Sequence, residues 1–203
     1  MKAPALTLVS DRRRLGERRL PGLAAAAAAA GLDFFQLREK DLSSSGLLAL
    51  AREVVTAVSG TGTRVLINGR PDIAQIAGAH GVQLPEEGLP PADVKAAFPG
   101  LLLGVSCHSL AAARRAEAGG ADFVLFGPVF KTPGKEERAS GVSGLAEVVQ
   151  AIGIPVHAIG GIDAGNVTEL WRTGCAGVAA IRVFLEEPLG PVVMRLRLGA
   201  RAG

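Results

Sequence analysis

The chain has 203 residues, of which 48% are hydrophobic, and its formal net charge at pH 7 is +3. This length fits one domain or a small barrel and is sufficient for a sizeable core. The charge is too small, and the Arg run at residues 12–14 too short, to indicate a nucleic-acid-binding surface. The alanine run at residues 24–30 falls far short of the ~20 apolar residues that a membrane span needs, so we expect no membrane partner.

The two cysteines, Cys107 and Cys175, lack the spacing of a metal site, which predicts free thiols in a reducing compartment. No signal-peptide pattern precedes the first predicted strand. We therefore expect a cytoplasmic protein.

Short apolar runs alternate with segments of helical periodicity along the chain. The predicted strands are residues 6–10, 34–38, 64–68, 81–84, 102–106, 123–126, 156–159 and 177–181. The clearest predicted helices are residues 47–58, 92–98, 110–118 and 166–173. Strands that alternate with helices predict a parallel sheet, and eight such units favour a closed barrel over an open sheet. The prediction is a compact (β/α)8 TIM barrel that forms a single domain over residues 1–203, with one long loop at residues 127–144.

Polar residues follow most of the predicted strands, at the end of a barrel where active sites form. They include Gln36, Arg38, Lys40, Asn68, Arg70, Gln83, Ser106, His108, Thr132, Lys135 and Arg182. This set is rich in cations and amides and poor in acids, which predicts an anionic ligand. Gly160 and Gly161 end the seventh strand, and Ile181 and Arg182 end the eighth. We therefore expect a phosphate to bind backbone N–H groups between these two loops.

Several motifs at these positions resemble one known family, the thiamine phosphate synthase / TenI superfamily. They are Gln36-Leu37-Arg38-Glu39-Lys40, Ile67-Asn68-Gly69-Arg70, Gly127-Pro128-Val129-Phe130 and Ala158-Ile159-Gly160-Gly161-Ile162. The resemblance covers nearly the whole chain, and it is specific because the motifs occur in the right order on the right strands.

One branch of this superfamily, thiamine phosphate synthase, joins a pyrimidine diphosphate to a thiazole phosphate and releases pyrophosphate with the help of Mg²⁺. The resemblance implies that Gln36 contacts the pyrimidine. It further implies that a polar set contacts the pyrophosphate, namely Arg38, Lys40, Asn68 and Lys135, and that the backbone near Gly161, Ile181 and Arg182 holds the thiazole phosphate. Synthases usually carry aspartates where this chain has Gly69 and Gly88. Glu87, or its neighbour Glu86, would have to hold the Mg²⁺ if this chain were a synthase.

The sister branch, the TenI-like thiazole tautomerases, resembles the chain more closely at these positions. Asn68-Gly69-Arg70, Val82-Gln83-Leu84-Pro85 and Cys107-His108-Ser109-Leu110 match that branch. Its reaction moves a proton on a thiazole phosphate and needs neither metal nor cofactor. We therefore expect first a metal-independent thiazole tautomerase that binds a small phosphorylated thiazole. The alternatives are a thiamine phosphate synthase and a non-catalytic sensor of a thiamine-related ligand.

The general base is left open, because tautomerases carry a histidine where this chain has Pro128. The candidates are His108, which follows the fifth strand, and His157, which lies within the seventh; Lys135 is a further candidate. His80 precedes the fourth strand, where we expect a stabilising role. Weaker candidates are Cys107, Glu39 and Glu87. A homo-oligomer is compatible with the sequence, which gives no oligomeric state.

Overall fold

The protein is a closed barrel of eight parallel strands, in a computed structural model that describes residues 4–15, 19–131, 139–186 and 188–199. The strands are β1 (Ala5–Val9), β2 (Phe34–Leu37), β3 (Arg64–Asn68), β4 (Gly81–Leu84), β5 (Leu102–Cys107), β6 (Phe123–Phe126), β7 (Val156–Ile159) and β8 (Gly177–Ala180). The helices are α1 (Leu20–Ala29), α2 (Ser44–Ala57), α3 (Pro71–Ala77), α4 (Pro91–Ala97), α5 (Leu110–Ala118), α6 (Gly141–Ala151), α7 (Val167–Trp171), α8 (Arg182–Glu186) and α9 (Leu189–Gly199). The predicted (β/α)8 barrel is confirmed. None of the described helices is long and apolar enough to cross a membrane.

The element boundaries differ from the predicted ones by a few residues. The helix predicted at residues 166–173 is shortened to α7, because the chain turns where the Thr173 hydroxyl donates to the Leu170 oxygen at 2.7 Å and Gly174 adopts a φ of +79°. Helix α6 begins at Gly141, which lies inside the long loop predicted at residues 127–144. Boundaries of this kind depend on local caps and turns, which hydrophobic periodicity does not encode.

The two faces of the strands bury different groups, since successive side chains point to opposite sides of a sheet. Leu8 belongs to the large cluster that packs the strands against the helices. Its neighbour Val9 instead packs with Leu125 and Ala179 in a separate cluster in the barrel lumen. The carboxyl ends of the strands, above this cluster, are called the barrel mouth below.

Two serines begin the helices that border the mouth. Ser43 accepts a hydrogen bond from the N–H of Gly46 at 3.2 Å and caps α2. Ser109 accepts one from Ala112 at 3.2 Å and caps α5. An N-terminal cap fixes where a helix begins. His108 is therefore held at the mouth, immediately before α5.

Candidate active site

Two buried glutamines line the mouth and each leaves one oxygen without a partner. Gln36 is 3% exposed and its Nε2 donates to Asn68 Oδ1 at 3.2 Å; Gln83 is 1% exposed and its Nε2 donates to Ser106 Oγ at 3.1 Å. Neither Oε1 atom accepts a hydrogen bond from the described part of the chain. Buried carbonyl oxygens are rarely unpaired in proteins. The structure thus brings Gln36 and Asn68 together and leaves two unpaired acceptors buried beneath the mouth.

The loops after β1 and β2 are joined through Glu39, which is buried at 6% exposure. Its carboxylate accepts from the Ser10 hydroxyl at 2.6 Å and from the Arg12 N–H at 3.2 Å. Glu39, a weak base candidate from sequence, is thereby committed to holding these loops. Arg38 beside it is half-buried and its guanidinium has no ion pair within the described ranges, while Lys40 is exposed.

Arg70 is turned towards its own helix. Its Nε and Nη2 atoms donate to Asp72 at 2.9 and 2.6 Å, and Nη1 donates to Ser44 Oγ at 2.9 Å. The hydrogen bonds between Arg70 and Asp72 raise the pKa of Arg70 and lower the pKa of Asp72. Substrate contact by Arg70, which the sequence predicts, would have to compete with this bidentate pair.

His108 is exposed at the mouth and is held from two sides. Its main-chain N–H donates to Glu86 Oε2 at 2.7 Å, and its ring Nδ1 is hydrogen bonded to the main-chain oxygen of Gly127. A carbonyl oxygen only accepts, so Nδ1 must carry the proton. In the neutral ring, Nε2 is then the nitrogen with a free lone pair, which is what a general base requires.

His157 lies deeper in the lumen than the mouth. It is 4% exposed, and its ring lies 4.9 Å from that of Phe123 and 5.9 Å from that of Phe34, measured between ring centroids. On the same strand, Ile159 stands between His157 and the mouth. Burial lowers the pKa of His157 to about 4, and its Nδ1 atom is buried without a partner in the described structure. This environment is that of a core residue.

Cys107 and His80 are each held away from the mouth, and Glu87 is exposed. Cys107 is fully buried on the outer side of β5, and burial, with a smaller effect of Glu86, raises the pKa of its thiol to about 12. His80 lies at the opposite end of the barrel, where its Nδ1 accepts from the N–H of Val65 at 3.0 Å. Thr132 and Lys135 lie outside the described residues.

The loops after β6 and β7 pack backbone against backbone, which requires the paired glycines. The Val129 N–H donates to the Ile159 oxygen at 2.9 Å, and the Phe130 N–H donates to the Gly160 oxygen at 3.1 Å. A Cβ on Gly160 would lie 2.5 Å from Pro128 Cβ, and one on Gly161 would lie 2.8 Å from the Lys131 oxygen. Both glycines also have positive φ, +103° and +65°.

The residues predicted to bind phosphate lie on adjacent loops. Strands β7 and β8 pair through Ile159 and Ala179, so the loop at Gly160 and Gly161 neighbours Ile181 and the first residue of α8, Arg182. Asn166 Nδ2 donates to the Gly161 oxygen at 2.8 Å, which fixes the orientation of that peptide. Sequence reasoning named the four loop residues but not Asn166.

Among the described residues, the positions expected to hold Mg²⁺ lack their carboxylates. Gly69 and Gly88 offer no carboxylate, and a Cβ on Gly88 would lie 2.9 Å from Pro85 Cδ. Glu86 already accepts from His108 and faces Arg115 at 3.9 Å, whereas Glu87 is exposed. Within the described ranges, no group of three or more His, Cys, Asp or Glu residues could hold a metal ion. Mg²⁺ requires oxygen ligands in near-octahedral geometry.

The site contacts that the sequence interpretation missed are those of Ser10, Asn166 and, as a loop anchor, Glu86. Ser10 is fully buried directly after β1 and accepts from the Arg38 N–H at 2.9 Å. Its place at the carboxyl end of a strand was a usable signal. No sequence signal links Glu86 to His108, because the two residues belong to different strand-end loops.

A (β/α)8 barrel whose mouth combines cations, amides and glycine loops is characteristic of enzymes that act on small anionic molecules. The sequence profile described as thiamine monophosphate synthase (TMP-TENI) matches residues 6–184. The chain belongs to this family, which confirms the resemblance noted from the motifs.

Named relatives agree with this assignment. The chain is 44% identical over 187 residues to a provisionally named thiamine-phosphate synthase of Geobacter sulfurreducens, covering 91% of this chain and 88% of the relative. It is 40% identical to the thiamine-phosphate synthase of Methanoculleus marisnigri, covering 81% and 80%. The solved thiamine phosphate pyrophosphorylase from Pyrococcus furiosus superposes with a TM-score of 0.88 at 30% identity, covering 98% and 96%. These matches indicate an enzyme of thiamine biosynthesis, and their names favour the synthase alternative over the tautomerase.

Proposed function

We propose that this chain binds a phosphorylated thiazole at the barrel mouth and moves a proton on it without a metal ion. The observation that carries the proposal is His108, whose ring is held by the Gly127 oxygen with Nε2 left as the acceptor nitrogen. The missing carboxylates at Gly69 and Gly88 support a reaction that does not release pyrophosphate. The proposed activity is that of a thiazole tautomerase.

In this proposal the neutral His108 ring removes a proton from a ring carbon of the substrate, and the resulting imidazolium returns a proton to a substrate atom outside the ring, so that the ring becomes aromatic. No net proton is gained or lost, so the step is an isomerisation. The loops at Gly160, Gly161, Ile181 and Arg182 would hold the phosphate on backbone N–H groups. Arg38 would hold the second anionic group, the carboxylate of the thiazole.

A second candidate, thiamine phosphate synthase, is favoured by two observations. The names of the relatives point to it, and the buried Gln36 Oε1 has no donor among the described residues, which suits a heterocycle with an amino group such as a pyrimidine. Against it stands the absence of carboxylates at Gly69 and Gly88, since Glu86 accepts from His108 and Glu87 is exposed.

Two assays on the full chain separate these candidates. The first measures conversion of the thiazole phosphate carboxylate to its aromatic tautomer, with Mg²⁺ or with EDTA. The second measures thiamine phosphate formation from the pyrimidine diphosphate and the aromatic thiazole phosphate under the same conditions. Tautomer turnover in EDTA that is lost in His108→Gln supports the first proposal. Metal-dependent thiamine phosphate formation with no tautomer turnover overturns it in favour of the synthase, and binding without either activity indicates a sensor.

A further inference from the structure

The loops after β1 and β2 share a buried carboxylate that the proton transfer does not use. Glu39 Oε1 accepts from the Ser10 hydroxyl at 2.6 Å and from the Arg12 N–H at 3.2 Å, and Oε2 lies 3.3 Å from the same N–H. Its side chain is 4% exposed, and Arg12 Nη1 approaches Oε2 at 3.5 Å. A buried carboxylate is costly unless it is hydrogen bonded or paired. These contacts therefore hold the carboxylate, and with it the two loops, in one arrangement.

Ser10 transmits this arrangement to Arg38. The serine hydroxyl has a single proton, which it donates to Glu39, so its lone pairs are turned towards the Arg38 N–H at 2.9 Å. The Ser10 N–H in turn donates to the Gln36 oxygen at 2.9 Å. The main chain at the mouth end of β2 is thus fixed by one serine, whose hydroxyl is oriented by Glu39.

Arg12 and Arg38 differ in whether their guanidinium groups are paired with a carboxylate. Arg12 donates to both oxygens of Asp41, at 2.5 and 3.0 Å, which leaves it committed to the loop. Arg38 is half-buried at the mouth and pairs with no carboxylate in the described ranges. Of the two, Arg38 is the guanidinium that can meet an anionic group of a ligand.

We propose that Glu39 is a positioning residue for ligand binding. Acting through Ser10, it fixes the Arg38 main chain so that the guanidinium meets the anionic group that lies away from the thiazole phosphate. This inference rests on the proposed function, which assigns that group to Arg38. The group is the thiazole carboxylate in a tautomerase and pyrophosphate in a synthase. Glu39 itself contacts neither the ligand nor the proton.

A double-mutant cycle tests whether Glu39 acts through Arg38. Calorimetric affinities for the aromatic thiazole phosphate carboxylate, and separately for inorganic pyrophosphate, are measured on the full chain and on Glu39→Gln, Ser10→Ala, Arg38→Ala and the Glu39→Gln/Arg38→Ala double variant. We expect Glu39→Gln and Ser10→Ala each to weaken binding about tenfold, a loss of about 1.4 kcal/mol. The double variant should bind no more weakly than Arg38→Ala alone, since coupled residues are not additive.

The matched control is Glu53→Gln on α2, which removes the same charge from an exposed pair with Arg19. It should leave the affinity unchanged. In turnover assays Glu39→Gln should raise KM about tenfold with kcat retained, whereas a general base would lose kcat. If Glu39→Gln does not fold, as judged by near-ultraviolet circular dichroism, the cycle is run with Ser10→Ala.

Additive losses, or wild-type affinity in Glu39→Gln, would overturn the role of Glu39 and leave the proposed function intact. A wild-type chain that binds neither probe overturns both. Whichever probe loses affinity in Arg38→Ala identifies the anionic group.

Discussion

His108 and Gly127 belong to the loops after consecutive strands, yet the His108 ring Nδ1 is hydrogen bonded to the Gly127 main-chain oxygen. This contact fixes the tautomer of the ring. It also brings the proposed general base to the strand-six loop, next to Pro128, where the resemblance to tautomerases places a histidine. A base supplied from the strand-five loop can therefore reach the same side of the mouth.

The first prediction concerns His108. Replacement by Gln should lower kcat for thiazole tautomerisation by about 10²- to 10⁴-fold, the usual contribution of a general base. The affinity for the aromatic product, measured by calorimetry, should change less than twofold. The matched control is His80→Gln at the opposite end of the barrel, which should retain kcat. Retention of kcat by His108→Gln would contradict the assignment.

The second prediction concerns the paired glycines. Gly160→Ala should destabilise the protein by about 3 kcal/mol, because the new methyl group adds a collision with Pro128 to the cost of a positive φ. Gly60 also has a positive φ, +75°, but nothing lies within 4 Å of a Cβ there. Gly60→Ala should therefore cost only about 1 kcal/mol. Urea denaturation measures both, and equal losses would show that the loop packing is looser than the structure indicates.

The third prediction is a loss of stability in acid that depends on His157. Burial lowers its folded-state pKa from 6.5 to about 4. The unfolded chain therefore binds a proton below pH 6.5 that the folded chain does not, so stability is full above this pH and falls as the pH drops towards 4. A shift of this size corresponds to about 3 kcal/mol.

His157→Phe should remove most of this dependence, because an aromatic ring against Phe34 and Phe123 is kept without a titrating group. Urea denaturation at pH 7 and pH 4.5 measures the difference. Burial also lowers the pKa of His80, with a smaller effect of Arg64, so a residual slope is expected in the variant. An unchanged slope in His157→Phe would place the titrating group elsewhere.

The fourth prediction concerns metal removal. EDTA should leave tautomer turnover unchanged, because no step uses a metal ligand. Introducing a carboxylate should be tolerated at Gly69, where the nearest atom to a Cβ is Pro85 Cδ at 3.9 Å, and aspartate accepts a positive φ better than most residues. At Gly88 the corresponding atoms lie at 2.9 and 3.0 Å, so Gly88→Asp should lower the melting temperature more than Gly69→Asp. A strict requirement for Mg²⁺ in the wild type would refute the metal-independent proposal.

The barrel was predictable because its signals are local. Each strand is a short apolar run followed by polar residues, as at Phe34-Phe35-Gln36-Leu37-Arg38. The regular alternation of such runs with segments of helical periodicity indicates the barrel. The position of a residue at a strand end likewise predicted that Gln36, Asn68 and His108 lie at the mouth. Parity within β7 did not decide the environment of His157, which depends on rings from β2 and β6.

Contacts between loops could not be predicted from the sequence. Glu39 carries a charge in a polar run, so it could be an exposed base or a buried anchor. Glu39 is a buried anchor because it contacts Ser10 and Arg12, which lie on another loop, 29 and 27 residues earlier in the chain. Arg70 and Asp72 are close in sequence, yet their ion pair could not be predicted. A strand-end arginine is equally compatible with an ion pair and with a ligand contact.

The Gln36 and Gln83 oxygens are two buried acceptors without donors in the described structure, and such atoms lower the stability of a fold. A buried acceptor without a donor costs about 1–3 kcal/mol of folding free energy. A ligand whose ring edge donates to these atoms recovers that cost, and at equal concentration it should raise the melting temperature more than a ring without N–H groups. Thermal shifts across a series of heterocycles would thus rank them by the hydrogens they present to the lumen.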